Sequence, residues 1–218
     1  MNFQRARTDL QRKDRINEII SAASELYNRS GYEGINFSAI SELTEFTRPT
    51  IYKYFSTKEE ILLQLLSDDI GVWVDRLVSS FKLNRIYHTK EISAIWAQTL
   101  STQKRMNELY SILFTVLEKN ASKKAIINFK QSLFLNATPL NELLCQLFPF
   151  ATQEQITSFV TIQFSLAVGY YPMCHLSDIQ MEAMQSINSD YVIPDFEKGY
   201  QKAIYQILLS LEHTDTDE

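Results

Sequence analysis

Apolar residues recur along this chain at steps of three and four. Ile16, Ile19, Ile20, Ala23, Leu26 and Tyr27 follow that spacing, which places side chains on one face of a helix and predicts one from about Arg12 to Ser30. Gly31 predicts a left-handed stop and Gly34 helps to turn the chain. Phe37, Ile40 and Leu43 then share the buried face of a short helix capped by Asn36, whose side chain can satisfy a free amide of the first turn. A second short helix is expected after Thr47, with Pro49 where a missing N–H costs nothing and with Ile51 and Phe55 pointing inward. Thr57 and Glu60 stand three residues apart as a capping box, so a further helix is expected from Lys58.

The same period continues to the end of the chain. Ile70 to Phe81 extends the capped helix, and Asn84 to Lys90 is a break before Ile92, Ile95, Trp96 and Leu100. Met106, Leu109, Tyr110, Leu113, Phe114 and Leu117 form a stripe ending near Lys119 and Asn120. A helix from Ser122 to about Phe148 carries Pro139 in its interior and is predicted to kink or divide near Ala137. Thr152 and Gln155 open the next helix, which Pro172 ends. Residues 173–194 are mixed, with a helical turn or two around Ile179 to Ile187. The last helix spans Asp195 to about Leu211. Five glycines and five prolines in 218 residues leave few turn points for strands, so the predicted fold class is all-α.

Composition changes this picture little. Hydrophobic residues make up 45% and charged residues 22% of the chain, as in ordinary globular proteins. The formal net charge of −5 at first argues against a nucleic-acid partner. Its distribution reverses that inference: residues 1–60 hold nine basic and nine acidic side chains, against twelve and seventeen in residues 61–218. Cys145 and Cys174 form no CxxC motif or disulfide framework, which suits a reducing cytoplasm. The N-terminus is polar where a secretory signal needs an apolar run, and no stretch reaches membrane-spanning length, so a soluble, cytoplasmic protein is expected.

Chemistry concentrates in the stretch Asn36 to Lys58. With Ile51 and Phe55 turned inward, the second short helix presents Arg48, Thr50, Tyr52, Lys53 and Tyr54 outward, a set of donors, a methyl group and polar-tipped rings suited to DNA. Free amides at the start of the next helix, with Lys58 beside them, suit a phosphate. Upstream, Arg5, Arg7, Arg12, Lys13 and Arg15 are either a solvated terminus or an arm that tracks DNA.

This ordered run resembles the DNA-binding domain of the TetR family of transcriptional regulators. Thr47, Arg48, Pro49, Thr50, Ile51, Tyr52, Lys53, Tyr54 and Phe55 meet the family pattern in order, and Thr57, Lys58 and Glu59 follow it. Ile40 and Ser41 stand where the family has Ile-Ala, and Glu45 replaces its turn glycine, which puts the geometry of the turn in question. The resemblance covers residues from about 12 to 66. It implies a helix-turn-helix DNA-binding domain over residues 1–57 and a helical effector-binding and dimerisation domain over 58–218. The implied protein is a dimeric repressor-like regulator of a palindromic double-stranded DNA operator, released by a small-molecule effector, with half-sites about one helical turn apart.

Carried onto this sequence, the resemblance makes Asn36, Thr47, Arg48, Pro49, Thr50, Tyr52, Lys53, Tyr54 and Lys58 the DNA-binding candidates. Arg48 is suited to guanine and Thr50 to a thymine methyl, with Tyr52, Lys53, Tyr54 and Lys58 on phosphates. The effector candidates are Trp96, Met106, Asn107, Tyr110, Phe114, Phe129, Phe134 and Tyr170; aromatic stripes at this spacing are more often packing. Wide apolar arcs on the last two long helices offer surface for a homodimer through Phe159, Leu166, Ile204 and Ile207.

Catalytic and metal readings find no support. His88, His175 and His213 are scattered, the Cys174–His175 pair has no ligand partner at helical or hairpin spacing, and there is no nucleophile elbow or Gly-rich phosphate loop. No cofactor, catalytic residue or metal ligand is assigned. The competing expectation is a helical ligand-sensing or protein-interaction module that keeps the helix-turn-helix fold without binding DNA. Net acidity, with Glu42 and Glu45 near the reader, points that way.

Overall fold

The three- and four-residue periodicity folds into helices throughout, and among the described residues there is no strand. The computed structural model describes residues 2–82 and 84–212, with side chains from Leu10 to Leu211. His213 and the side chains of Arg5 and Arg7 lie outside the described residues. In chain order the helices are α1 (Asn2–Gly34), α2 (Phe37–Glu42), α3 (Arg48–Ile51), α4 (Lys58–Ser79), α5 (Thr89–Ser101) and α6 (Lys104–Ser111). A π turn (Leu113–Leu117) and a 3₁₀ turn (Glu118–Asn120) follow, then α7 (Lys123–Leu147), α8 (Gln153–Met173), α9 (Asp178–Ile187) and α10 (Phe196–Glu212).

The chain gathers into two compact units, Met1–Asp68 with Leu113–Ser132, and Asp69–Ile112 with Leu133–Glu218. They differ from the segments 1–57 and 58–218 expected from sequence. The reason is that α4 does not change character where it starts: its first turns bury Ile61, Leu62, Leu65 and Leu66 in the first unit. Leu113, Leu117 and Phe129, all buried, come back to the same unit from later in the chain.

In the first unit, Ile19, Ala22, Ala23 and Tyr27 of α1 are buried together with Ile35, Phe37, Ile40 and Ile51. Gly31 breaks α1 with φ 62° and ψ −159°, a backbone that a side chain rarely adopts, and the helix resumes for a last turn. Leu43, expected on the buried face of α2, is instead 38% exposed. The helix ends at Glu42, so Leu43 leaves the 3.6-residue register that would have turned it inward. Phe55 is half-buried rather than interior.

In the second unit α10 lies against α5 and α8, and α8 also lies against α6. Trp73, Trp96, Phe159, Tyr200, Ile204 and Leu208 form its interior. Gly199 admits Tyr170 at close range, since a Cβ there would stand 2.0 Å from the Tyr170 hydroxyl. The Thr152–Gln155 capping box forms in both directions, with the Gln155 amide donating to Thr152 Oγ1 at 3.2 Å and the Thr152 amide to Gln155 Oε1 at 2.8 Å. The helix through Pro139 is not divided: α7 is one helix of 25 residues with the proline inside it. The stripe from Met106 to Leu117 is interrupted after Ser111 and continues through the wider π turn.

Candidate nucleic-acid interface

Two short helices and the start of α4 build the site within the first unit. Asn36 caps α2 as expected, its Oδ1 accepting the Ala39 amide at 2.9 Å. The chain then bends through Glu45, whose amide donates to Glu18 Oε1 of α1 at 3.2 Å. Asn84 is the one non-glycine residue with positive φ among the described residues, so the turn takes glutamate in place of glycine by avoiding a left-handed residue.

The reader, α3, is four residues long, with Pro49 in its first turn and Ile51 fully buried. Amides of Thr50 and Ile51 donate to the Thr47 carbonyl at 2.8 and 3.1 Å. Thr47 makes no side-chain cap; its hydroxyl lies 3.0 Å from that of Thr50. Ile51 anchors one side, so the other faces outward: Arg48, Pro49, Tyr52 and Lys53 are exposed, and Thr50 is half-buried. Tyr52 keeps a structural contact as well, edge-on to Phe37 with ring centroids 4.5 Å apart. The Tyr54 hydroxyl accepts from Arg15 Nη1 of α1 at 3.4 Å.

At the start of α4 the Lys58 ammonium is held by the chain itself. Lys58 Nζ sits 3.8 Å over the Tyr32 ring and donates to the Tyr32 carbonyl at 3.2 Å. Buried Glu59 accepts the Tyr32 hydroxyl at 2.7 Å. Burial, with that bond and the nearby charge, pushes the Tyr32 hydroxyl up to about 12, so it stays a donor. Glu60, also buried, accepts the Ser56 amide at 2.7 Å with Oε2 and the Ser122 amide at 3.1 Å with Oε1. Its own amide donates to Thr57 Oγ1 at 3.4 Å. The Glu60 amide in the first turn of α4 is thus met by the Thr57 hydroxyl, while the two carboxylates hold Tyr32 and the amides of Ser56 and Ser122.

The eight effector candidates divide between the two units. Trp96, Met106 and Asn107 are buried in the second unit, and Tyr110 stacks on Phe164 with centroids 5.0 Å apart. Tyr170 stacks on Phe196. Phe134 is 78% exposed, whereas Phe114 and Phe129 belong to the first unit. Three residues not singled out from sequence shape this interior: Trp73, Gln163 and Tyr200, all fully buried. Gln163 Oε1 accepts from Trp96 Nε1 at 3.2 Å and from the Tyr200 hydroxyl at 2.7 Å. A lone glutamine inside the apolar run from Phe159 to Phe164 was the available signal. Of the dimer candidates, Phe159 and Ile204 lie in the interior of the protomer, while Leu166 and Ile207 are half-buried and the neighbouring Ile162 is 45% exposed. Among the described residues no group of three or more His, Cys, Asp or Glu is arranged to hold a metal ion, and no helix is long and apolar enough to cross a membrane.

A capped scaffold helix, a tight turn and a short helix with an anchored inner side and a cationic outer side define a helix-turn-helix DNA-binding regulator. Residues 19–65 match the family described as bacterial regulatory proteins, tetR family, and residues 67–214 match the tetracyclin repressor-like C-terminal domain. The chain belongs to the TetR family: it is a DNA-binding transcriptional regulator, not an enzyme. It is 32% identical over 72 residues to a fatty acid metabolism regulator protein of Bacillus subtilis, a match spanning 33% of this chain and 37% of that relative. Its fold is similar to that of the fatty acid degradation regulator FadR from Bacillus halodurans, with TM-score 0.53, 20% identity, and 89% of this chain and 94% of that one covered. It is also similar to a transcriptional regulator from Rhodococcus, with TM-score 0.54, 14% identity, and coverage of 91% and 98%.

Proposed function

We propose that the protein works in the cytoplasm as a homodimeric repressor whose two α3 helices enter successive major grooves of a palindromic operator. The observation that carries this reading is the division of α3 into a fully buried Ile51 and an exposed Arg48 and Pro49, with Lys53 exposed just beyond its end. On that face Arg48 reads guanine and Thr50 meets a thymine methyl, while Tyr52, Lys53 and Tyr54 hold phosphates. Asn36 and Thr47 hold the ends of the two short helices, and Lys58 supports the site through Tyr32. Dimer contacts come from Leu166, Ile207 and Ile162, which keep outward surface on α8 and α10.

Release follows from an effector that binds one arrangement of the dimer better than another, since only differential affinity shifts such an equilibrium. The relative named for fatty acid metabolism makes metabolites of that chemistry the first effectors to test, with the interior around Trp96, Met106, Asn107 and Tyr110 as their seat. Titrating the protein against the fragment upstream of its own gene and a random duplex at one salt concentration checks the DNA half. The reading predicts preference for the upstream fragment, weakened by the effector. Equal affinity for both duplexes contradicts it.

A further inference from the structure

The first unit holds a cleft of about 340 Å³, of whose lining the helix-turn-helix reading uses only Tyr52, Lys53 and Tyr54. Arg12 of α1, Lys53 and Tyr54 from the end of the reader, and Lys124 and Asn128 from the first turns of α7 all line it. None of its three cations forms an ion pair with a described side chain. Glu60 is the single acidic group in the lining, and its two oxygens already accept the amides of Ser56 and Ser122. Lys124 stabilises that carboxylate by its charge without pairing with it. Three cations, two phenols and two side-chain amides therefore line the cleft with one committed carboxylate among them. Such a surplus suits phosphate oxygens, which accept charge-assisted bonds from several donors at once.

We infer that this cleft is a second seat for the DNA backbone, in which Lys124 of α7 holds a phosphate beside the bases reached by Arg48. The inference rests on the DNA-binding reading above and extends the interface to a residue more than sixty positions beyond the helix-turn-helix. Lys53 and Tyr54 follow α3 directly, so a strand held in the cleft continues from the one the reader engages. The phosphate chemistry also fits a soluble phosphorylated ligand, which the test must separate from DNA.

Lys124→Gln and its neighbour Lys123→Gln, an exposed residue outside the cleft lining, are titrated against the upstream fragment and a random duplex across a KCl series. Lys124→Gln is expected to weaken both complexes several-fold at low salt and to flatten the log-log salt slope by about 0.9, the loss of one phosphate contact. Lys123→Gln should keep the wild-type slope, and Lys124→Arg should restore it. An unchanged slope in Lys124→Gln, with wild-type preference for the upstream fragment intact, overturns the backbone seat and leaves the reader assignment standing. Pyrophosphate binding lost in Lys124→Gln while the DNA slope stays unchanged overturns it in favour of a soluble ligand. Absence of any DNA binding by the wild type removes the reading on which it rests.

Discussion

Gln163 shows how much one polar side chain can hold in an apolar interior. Its Oε1 accepts from the Trp96 indole and the Tyr200 phenol, and all three residues are fully buried. Burial also raises the Tyr200 hydroxyl well above its ordinary range, keeping it a donor. Gln163→Leu preserves bulk but strands two donors away from water, a loss of about 3 kcal/mol. Denaturant unfolding should show a lower midpoint with an unchanged slope; a midpoint within error of the wild type contradicts the assignment. The outward position of Arg48 was legible in the sequence because Ile51 demanded the other side of the helix. The fate of Lys58 was not: its ammonium goes to the carbonyl and ring of Tyr32, 26 residues away, and chain spacing carries no sign of that contact.

Helix boundaries depend on local chemistry, and here most of them followed from the residues themselves. The caps at Asn36 and Thr152 are short-range hydrogen bonds between named side chains and nearby amides, so the residue types announce them. The run through Pro139 stays one helix, because one missing amide does not end the ladder of hydrogen bonds on either side of it. The return of Leu113–Ser132 to the first unit was equally hidden, since the Glu60–Ser122 bond spans 62 residues.

That bond makes a pH prediction at this scale. Burial opposes ionisation of Glu60, but hydrogen bonds from Ser122 and Ser56, with Lys124 nearby, hold its carboxyl below the ordinary value of 4.5. The folded pKa lies below the unfolded one. The resulting stability is therefore present above about pH 4.5 and is lost as pH falls through the folded value. Glu60→Gln should cost about 2 kcal/mol at neutral pH, having no anionic acceptor for both amides, and should lose less on acidification. Hydrogen exchange at Ser56 and Ser122 reports it directly. Wild-type protection of both amides in Glu60→Gln contradicts the clamp.

For the whole molecule, the all-α class and the family were legible because periodicity and one ordered motif are properties of neighbouring residues. The inward and outward sides of the last long helices were only half legible. Wide apolar arcs on α8 and α10 include both faces, and periodicity alone does not separate Phe159 and Ile204, which face the protomer's interior, from Leu166 and Ile207, which keep outward surface. If the outward set pairs two copies, Ile207→Asp places a charge in an apolar interface without disturbing the fully buried residues beside it. Sedimentation at micromolar concentration should then show a dimer for the wild type and a monomer for the variant, with operator affinity falling at least tenfold because two reader helices no longer bind together. A wild-type monomer contradicts the dimer proposal.

The central claim is that the exposed face of α3 reads DNA, with Arg48 supplying sequence discrimination, and an Arg48→Ala titration tests it most directly. Wild type and variant are titrated at one fixed salt concentration against the fragment upstream of the gene and a random duplex of equal length. The account predicts that the wild type prefers the upstream fragment and that Arg48→Ala retains weak binding but loses the preference, a change of about 1–3 kcal/mol in discrimination. Undiminished selectivity in the variant would contradict it.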